Sequence, residues 1–268
     1  MDELLRNLAA GSRVLDLGSA GGSFQADSRP LTIIRLDLEF RPEAGPDFVM
    51  ADAAKMPFAN RSIDLVIANH SLEHIECLDD CLNEIGRVVK PNSGLFISVP
   101  DASTLSDKIY RWLGRGGGHV NPFVSAPLLA AKIEKLTGLR HNATRTLCSS
   151  LSFMNRLNQR SKAPRKLLLL GGGTEASLRW MSYAFRWSDR VLKTRASVYG
   201  WAFYFGSLHP EGPNEARTNV CIRCGSGHAS TQLLADRRKA GRAYDCPNCG
   251  ARNFFSDDGN YHHLAAAE

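Results

Sequence analysis

Two sets of residues in this 268-residue chain have types and spacings that can do chemistry. The first is Cys221 and Cys224 with Cys246 and Cys249, a C-x2-C pair, 21 intervening residues, and a second C-x2-C pair. Each pair lets two thiolates of one tight knuckle reach the same ion. Four thiolates make the closed tetrahedral site of structural zinc, with no position left for activating water. Gly225 and Gly250 each follow the second cysteine of a pair, where the turn gains from a residue without Cβ. So short a segment builds little core, so the metal must supply its folding energy, on the order of 10–16 kcal/mol for such sites. Disulfides and a redox dithiol are the other uses of such pairs. An intracellular setting argues against the first, and two motifs where one would suffice argue against the second.

The second set lies at the other end. The run Arg13–Phe24 is an apolar strand (Val14, Leu15, Leu17) with Asp16 inside it, feeding a turn of Gly18, Ser19, Ala20, Gly21 and Gly22. A strand entering a glycine-rich turn brings backbone N–H groups against a nucleoside-bearing cofactor. Asp37 closes a second strand-like run 21 positions after Asp16, where a carboxylate can accept from both ribose hydroxyls. Asp52, after the short strand Phe48–Met50, is placed to meet an adenine amino group. Taken singly, each of these acids is equally at home as a turn or cap residue.

The elements that must position these acids follow in order. Ser62–Ile75 reads as a buried strand running into a polar turn, Cys81–Lys90 as a helix stopped by Pro91, and Gly94–Pro100 as another strand. Pro127–Leu136 reads as a helix with Gly138 as its stop, and Arg140–Leu151 as an edge strand. Glu175–Lys193 reads as a helix with Leu178, Met181, Phe185 and Leu192 on one side. Its other faces carry Trp180, Trp187, Arg179, Arg186 and Arg190, as an interfacial helix or a lid would; the alternative is a helix packed on the domain with snorkelling arginines. The aromatic run Val198–Gly206 reads as a final antiparallel strand. Cys77 and Cys81, one helical turn apart, read as packing residues, and Cys148 makes no second site.

Across residues 12 to 100 the chain resembles the class I S-adenosylmethionine-dependent methyltransferases, the small-molecule and lipid group in particular. The resemblance rests on D-x-G-x-x-x-G, an acid, then D-A-x-x-x-P-F, N-x-x-L-E-H-I and E-I-x-R-V-x-K-P, with Gly118–Phe123 and an amphipathic helix beyond. The glycine loop departs in having Ala20 at its middle place. The resemblance implies a doubly wound α/β fold: a seven-stranded, mostly parallel sheet, its last strand antiparallel. It implies S-adenosylmethionine held by Asp16 and the Gly18–Gly22 turn at its methionine part. Asp37 with Leu38 would take the ribose, Asp52 with Ala53 the adenine, and Asn69 would lie near the sulfonium.

His119 is the first candidate for a general base and His70 the second, a base being needed only for a hydroxyl acceptor. Glu73 and His74 read as caps of the following helix, with a divalent ion as the other use. No N-P-P-aromatic motif or Pro-Cys turn occurs, which points to O-methylation of a small-molecule, glycan or lipid-linked acceptor. The expected domains are 1–206 (150–197 an insert or lid), a linker at 207–219, a zinc ribbon at 220–256 and a tail at 257–268.

The net charge of +6 allows an anionic acceptor without demanding one. The basic stretch Asp236–Arg242 gives an RNA-modifying alternative, though it reads first as a solvated hairpin. Ala20 is the support for a third reading, a non-catalytic partner-binding scaffold; a nicotinamide dehydrogenase is disfavoured by Asp16 inside the strand and the lack of G-x-G-x-x-G. The acidic start Met1–Arg6 is unlike a secretory leader, and the longest aliphatic run, Leu167–Leu170, is too short to span a bilayer. A cytoplasmic protein with at most peripheral membrane contact is expected.

Overall fold

A computed structural model describes residues 2–19, 22, 24, 29–40, 45, 47–113, 118–158, 165–210, 219–228, 233 and 243–255. The chain forms two compact units. The first is Met1–Pro100 with Gly118–Arg145 and Trp201–Gly212; the second is Asp101–Gly117 with Thr146–Gly200 and Pro213–Glu268.

In chain order the elements are α1 (Asp2–Leu5), β1 (Arg13–Leu17), β2 (Thr32–Asp37), β3 (Phe48–Met50), β4 (Ile63–Asn69), α2 (Leu78–Val88), β5 (Val89–Pro100), α3 (Leu105–Leu113), α4 (Ala126–Thr137), β6 (His141–Cys148), α5 (Glu175–Leu192) and β7 (Val198–Gly206). Four short strands follow among the described residues: β8 (Asn219–Val220), β9 (Gly227–His228), β10 (Ala243–Asp245) and β11 (Arg252–Phe254).

Strands β1 to β7 make one seven-stranded sheet in the order β3-β2-β1-β4-β5-β7-β6. The first five are mutually parallel. β7 runs against its neighbours. Ser207 N donates to Ser93 O while Asp101 N donates to Tyr199 O, so one strand retreats as β5 advances; Gly206 N to Arg140 O and Ser149 N to Ser197 O do the same for β6. This is the doubly wound sheet the resemblance implies. The central strands β1, β4 and β5 are almost wholly apolar because consecutive residues are buried, so no polar alternation is needed. The core gathers Leu15, Leu17, Val66, Ala68, Leu95, Ile97, Phe203 and Phe205 of the sheet with Leu82 and Ile85 of α2 and Leu129 and Ile133 of α4. α2 buries Leu78, Cys81, Leu82, Ile85 and Val88, a stripe at helical spacing. Gly86 lets α4 approach, since a Cβ there would stand 2.8 Å from Thr137 O.

Three expectations need correction. Pro91 does not stop α2. The helix ends at Val88, and Pro91 sits in a bulge where the β4–β5 register jumps from Ile63↔Val89 to Leu65↔Gly94. A bulge tolerates proline because the ladder needs no donor there. Cys77 is exposed at the N-cap of α2; of that pair only Cys81 packs in the core.

The third correction concerns α5. Its buried face is Leu178, Ser182, Arg186 and Asp189, while Leu192 is exposed. Leu178, Met181 and Phe185 pack inward as their spacing implies, on Leu151, Met154, Leu167 and Ile222, and Leu192 alone departs. Beside them the polar part of the inner face meets loop backbone. Ser182 Oγ donates to Ser150 O and Arg186 to Ser149 O. Asp189 accepts from Thr194 Oγ1 and from the N–H groups of Ala196 and Ser197, closing the turn into β7. Thr174 caps the helix by accepting from Ser177 N, and Lys193 ends it in the left-handed region.

Candidate cofactor cleft and thiolate cluster

The strand order reverses between β1 and β4, and ligands of open α/β sheets bind beyond the carboxyl ends of strands at such a point. Asp16, fully buried in β1, stands in register with Arg35 of β2 and Ile67 of β4. The chain then turns at Gly18, whose φ is +65° and whose N–H donates to Leu36 O. A Cβ on Gly18 would lie 2.5 Å from Ser71 Cβ, so both conformation and space demand glycine. Gly22 is constrained by its backbone, at φ +103°, with the movable end of the Arg35 side chain 2.8 Å from where its Cβ would be. Ala20 and Gly21 lie outside the described residues.

The remaining acids lie at the ends of neighbouring strands. Asp37, last in β2, accepts from Glu39 N; Asp52, after β3, accepts from Ala54 N at 2.8 Å. Leu38 is exposed, and Ala53 packs against the core. Asn69 ends β4 with its Oδ1 accepting from Ser98 Oγ at 2.7 Å. The hydroxyls of Ser19 and Ser71 are buried with no hydrogen-bond partner among the described residues. Buried polar atoms need partners, so these hydroxyls at the glycine turn suit a polar ligand. The residues present therefore fit a nucleoside cofactor.

The loop after β3 is held from α2. Arg87 donates to Met56 O, Phe58 O and Asn60 Oδ1, and pairs with Glu84, which accepts from Met56 N. The Arg87 bonds hold the Glu84 carboxyl below its ordinary range, against a smaller opposing effect of burial. Two sequence motifs far apart in the chain thus form one clamp.

The histidine candidates lie near the end of β4. His70 adopts φ +54°, donates its N–H to Ser98 O, and brings Nδ1 to 3.5 Å from Glu73 Oε1. Val120 N and Asn121 N donate to Glu73 O, and the Asn121 amide donates to Leu72 O and Ile75 O. That stitching sets the His119 ring 5.0 Å from the His74 ring and brings ligand atoms of Glu73, His74 and His119 within 4.8 Å of one another. Glu73 and His74 do not cap α2, whose N-cap is Cys77 with no side-chain bond. Ser71, Arg35 and Ser98 were not singled out in the sequence, since the role of each is defined by a neighbour distant along the chain.

In the second unit the two C-x2-C pairs converge. Cys221 Sγ lies 3.5 Å from Cys249 Sγ, Cys224 Sγ 3.7 Å from Cys246 Sγ, and all four sulfurs fall within 4.8 Å. A tetrahedron with metal–sulfur bonds of about 2.3 Å has edges of about 3.8 Å, so the cluster matches a four-thiolate ion site. Both knuckles are alike. β8 and β9 flank the first and β10 and β11 the second, and Gly225 and Gly250, at φ +74° and +70°, donate to Cys221 O and Cys246 O. Burial pushes the Cys246 thiol up to about 12. Burial also acts upward on Cys224, but hydrogen bonds with Ser226, Cys249 and Cys246 together outweigh it and bring it to about 7. His228 Nε2 lies 3.4 Å from Cys246 Sγ and the Asn253 amide 3.6 Å from Cys221 Sγ, neighbours the cysteine spacing alone does not reveal. The basic stretch Asp236–Arg242 lies outside the described residues.

The first knuckle is fastened to the rest of its unit. Ile222 is buried with Leu151, Met154, Leu167 and Leu178. Asn155 donates to Ile222 O, Asn158 to Arg223 O, and Arg223 makes a two-pronged pair with Glu175 at 2.5 and 3.0 Å. The 150–197 segment is thus the platform on which the cysteine knuckles rest.

Residues 15–97 match the family model described as "Methyltransferase domain". A malonyl-[acyl-carrier protein] O-methyltransferase from Methylococcus capsulatus is 33% identical over 129 residues, 42% of this chain and 47% of that protein. The biotin biosynthesis bifunctional protein BioHC of Cellvibrio japonicus is 30% identical over 135 residues, 46% of this chain and 27% of that one. The chain thus spans less than half the length of these two curated relatives. A SAM-dependent methyltransferase from Archaeoglobus fulgidus shares the fold at TM-score 0.50 and 20% identity, over 73% of this chain and 86% of that one. Among the described residues no helix is long and apolar enough to cross a membrane.

Proposed function

We propose that this chain, which carries a class I S-adenosylmethionine-dependent methyltransferase domain, transfers a methyl group to oxygen on a small-molecule, glycan or lipid-linked acceptor, and that its four cysteines hold a structural zinc ion. The observation that carries the reading is the glycine cradle at the switch point, where Gly18 faces Ser71 without room for a Cβ and acids stand at the ends of β2 and β3. The similar O-methyltransferases support oxygen as the methylated atom.

When bound, the cofactor supplies a methyl carbon already activated by its sulfonium. The chain's own residues align and exclude water, and such positioning can contribute roughly 7–11 kcal/mol. Asp16 with Gly18, Ser19, Ala20 and Gly22 would hold the methionine part, Asp37 and Leu38 the ribose, Asp52 and Ala53 the adenine, and Asn69 the region of the sulfonium. Asn69 is suited to this because Ser98 fixes its amide. A hydroxyl acceptor must lose a proton, and His119, stitched beside His74 and Glu73, is the base we assign, with His70 second. A carboxylate acceptor needs no base. The domain reading is a methyltransferase over 1–206 with the ribbon at 220–256.

Calorimetric titration with S-adenosylmethionine and, in parallel, NADH tests the reading, with Asp37→Ala as control. Micromolar binding of the methyl donor alone, lost in the variant, is expected. Binding of neither cofactor would overturn it in favour of a partner-binding scaffold. Salt-sensitive RNA binding would instead favour the RNA-modifying alternative.

A further inference from the structure

Helix α5 carries an apolar outer face as well as an inner one. Every exposed position of its 18 residues is apolar: Ala176, Trp180, Ala184, Trp187, Val191 and Leu192. Three of its four buried residues, Ser182, Arg186 and Asp189, are polar or charged. The first five exposed residues follow at intervals of four, four, three and four, so they form one continuous outer stripe. Trp180 is 62% exposed, Trp187 45% and Val191 52%. Isolated exposed apolar residues need no explanation, but an uninterrupted stripe with two tryptophans does.

We infer that this stripe is a docking face for an anionic lipid bilayer, on which α5 lies in the plane of the headgroups. Charge selects the occupant. Both acids of the helix are withdrawn from the stripe: Asp189 is buried in the turn into β7, and Glu175 is paired with Arg223. Positive charge flanks the stripe: Arg190 stands on one edge, Arg179 on the same edge lies over the Phe254 ring, and exposed Lys193 follows its end. Tryptophan seeks the level where hydrocarbon meets headgroup, and flanking Lys and Arg seek anionic phosphates. Leu168 and Leu169, just before the helix, are also exposed, beside exposed Lys166. A helix whose other faces carry arginines and an aspartate lies on a bilayer rather than crossing it. A second protein copy is the poorer occupant, because six residues of one helix fall far short of the roughly 20–30 a side that a stable interface uses.

The full chain should be tested by flotation with vesicles of phosphatidylcholine and of a phosphatidylcholine–phosphatidylglycerol mixture. Flotation with the anionic vesicles only, weakened by salt and reduced roughly tenfold or more by Trp187→Glu with Val191→Glu, is expected. A circular dichroism spectrum like wild type shows that the double variant folds. Quenching of wild-type tryptophan fluorescence by brominated acyl chains in the anionic vesicles is the second readout, and it needs no variant. No flotation and no quenching, or equal flotation by the double variant, would overturn the inference. So would a concentration-dependent doubling of mass in solution that the double variant abolishes, since the stripe would then be a contact between copies.

Discussion

The tightest geometric statement about the cleft is that Gly18 and Ser71 share space for one side chain only, and a double-mutant cycle tests it. In Gly18→Ala the new Cβ would stand 2.5 Å from Ser71 Cβ, 3.3 Å from its Oγ and 3.7 Å from its Cα. Two penalties add. Holding alanine at φ +65° costs about 1–2 kcal/mol. Forcing a methyl into a filled site costs about 1–3 kcal/mol more. The single variant should therefore lose about 2–5 kcal/mol in urea unfolding. In a Ser71→Gly background the atom of residue 71 left beside it is Cα at 3.7 Å, an ordinary contact, so only the backbone penalty should remain. The cycle should give a coupling of about 1–3 kcal/mol, above the few tenths expected of independent sites. Methyl-donor binding should weaken in Gly18→Ala and recover in part in the double variant. Equal costs of Gly18→Ala in both backgrounds, or a cost below about 0.5 kcal/mol, would refute the close approach.

Further outcomes can be stated briefly. Arg87→Ala removes the bonds that hold Met56, Phe58 and Asn60, and should cost about 2 kcal/mol in chemical unfolding while loosening methyl-donor binding. Because the folded pKa of Glu84 is depressed, its stabilisation is present above the unfolded value of about 4.3 and disappears as pH falls through the folded one. The stability gap between wild type and Glu84→Gln should therefore close in that acid window, as thermal melts at stepped pH would show. A strong chelator, or Cys224→Ser, should release metal measured by elemental analysis and open the ribbon to limited proteolysis, since so small a module relies on the ion to fold. If the acceptor is a hydroxyl, His119→Gln should lower kcat roughly 10²–10⁴-fold in a methyl-transfer assay while leaving methyl-donor binding in place.

What could be read along the chain was whatever chemistry is local. Glycine at a turn, acids at strand ends and cysteines two residues apart depend on neighbours within a few positions, so Gly18, Asp37, Asp52 and the four thiols were legible, and the structure brings those thiols together. Helix α4 was legible to within a residue at each end, because its left-handed Gly138 stop is a backbone property. Strands β1, β4 and β5 were legible as apolar runs because consecutive residues in them are buried, so both their faces are covered.

What depends on contacts across the fold was decided only by tertiary structure. Nothing near Ser71 in the chain says that it fills the space over Gly18, and nothing near Arg87 says that it clamps the loop after β3. His119 meets His74 only because Asn121 ties the two segments together. Periodicity put Leu178, Met181 and Phe185 of α5 inside, and they pack there. It could not show that backbone carbonyls and amides of neighbouring loops would draw Ser182, Arg186 and Asp189 inward beside them. A sequence pattern records which residues share a face; only the partners supplied by the rest of the chain decide which face is turned inward.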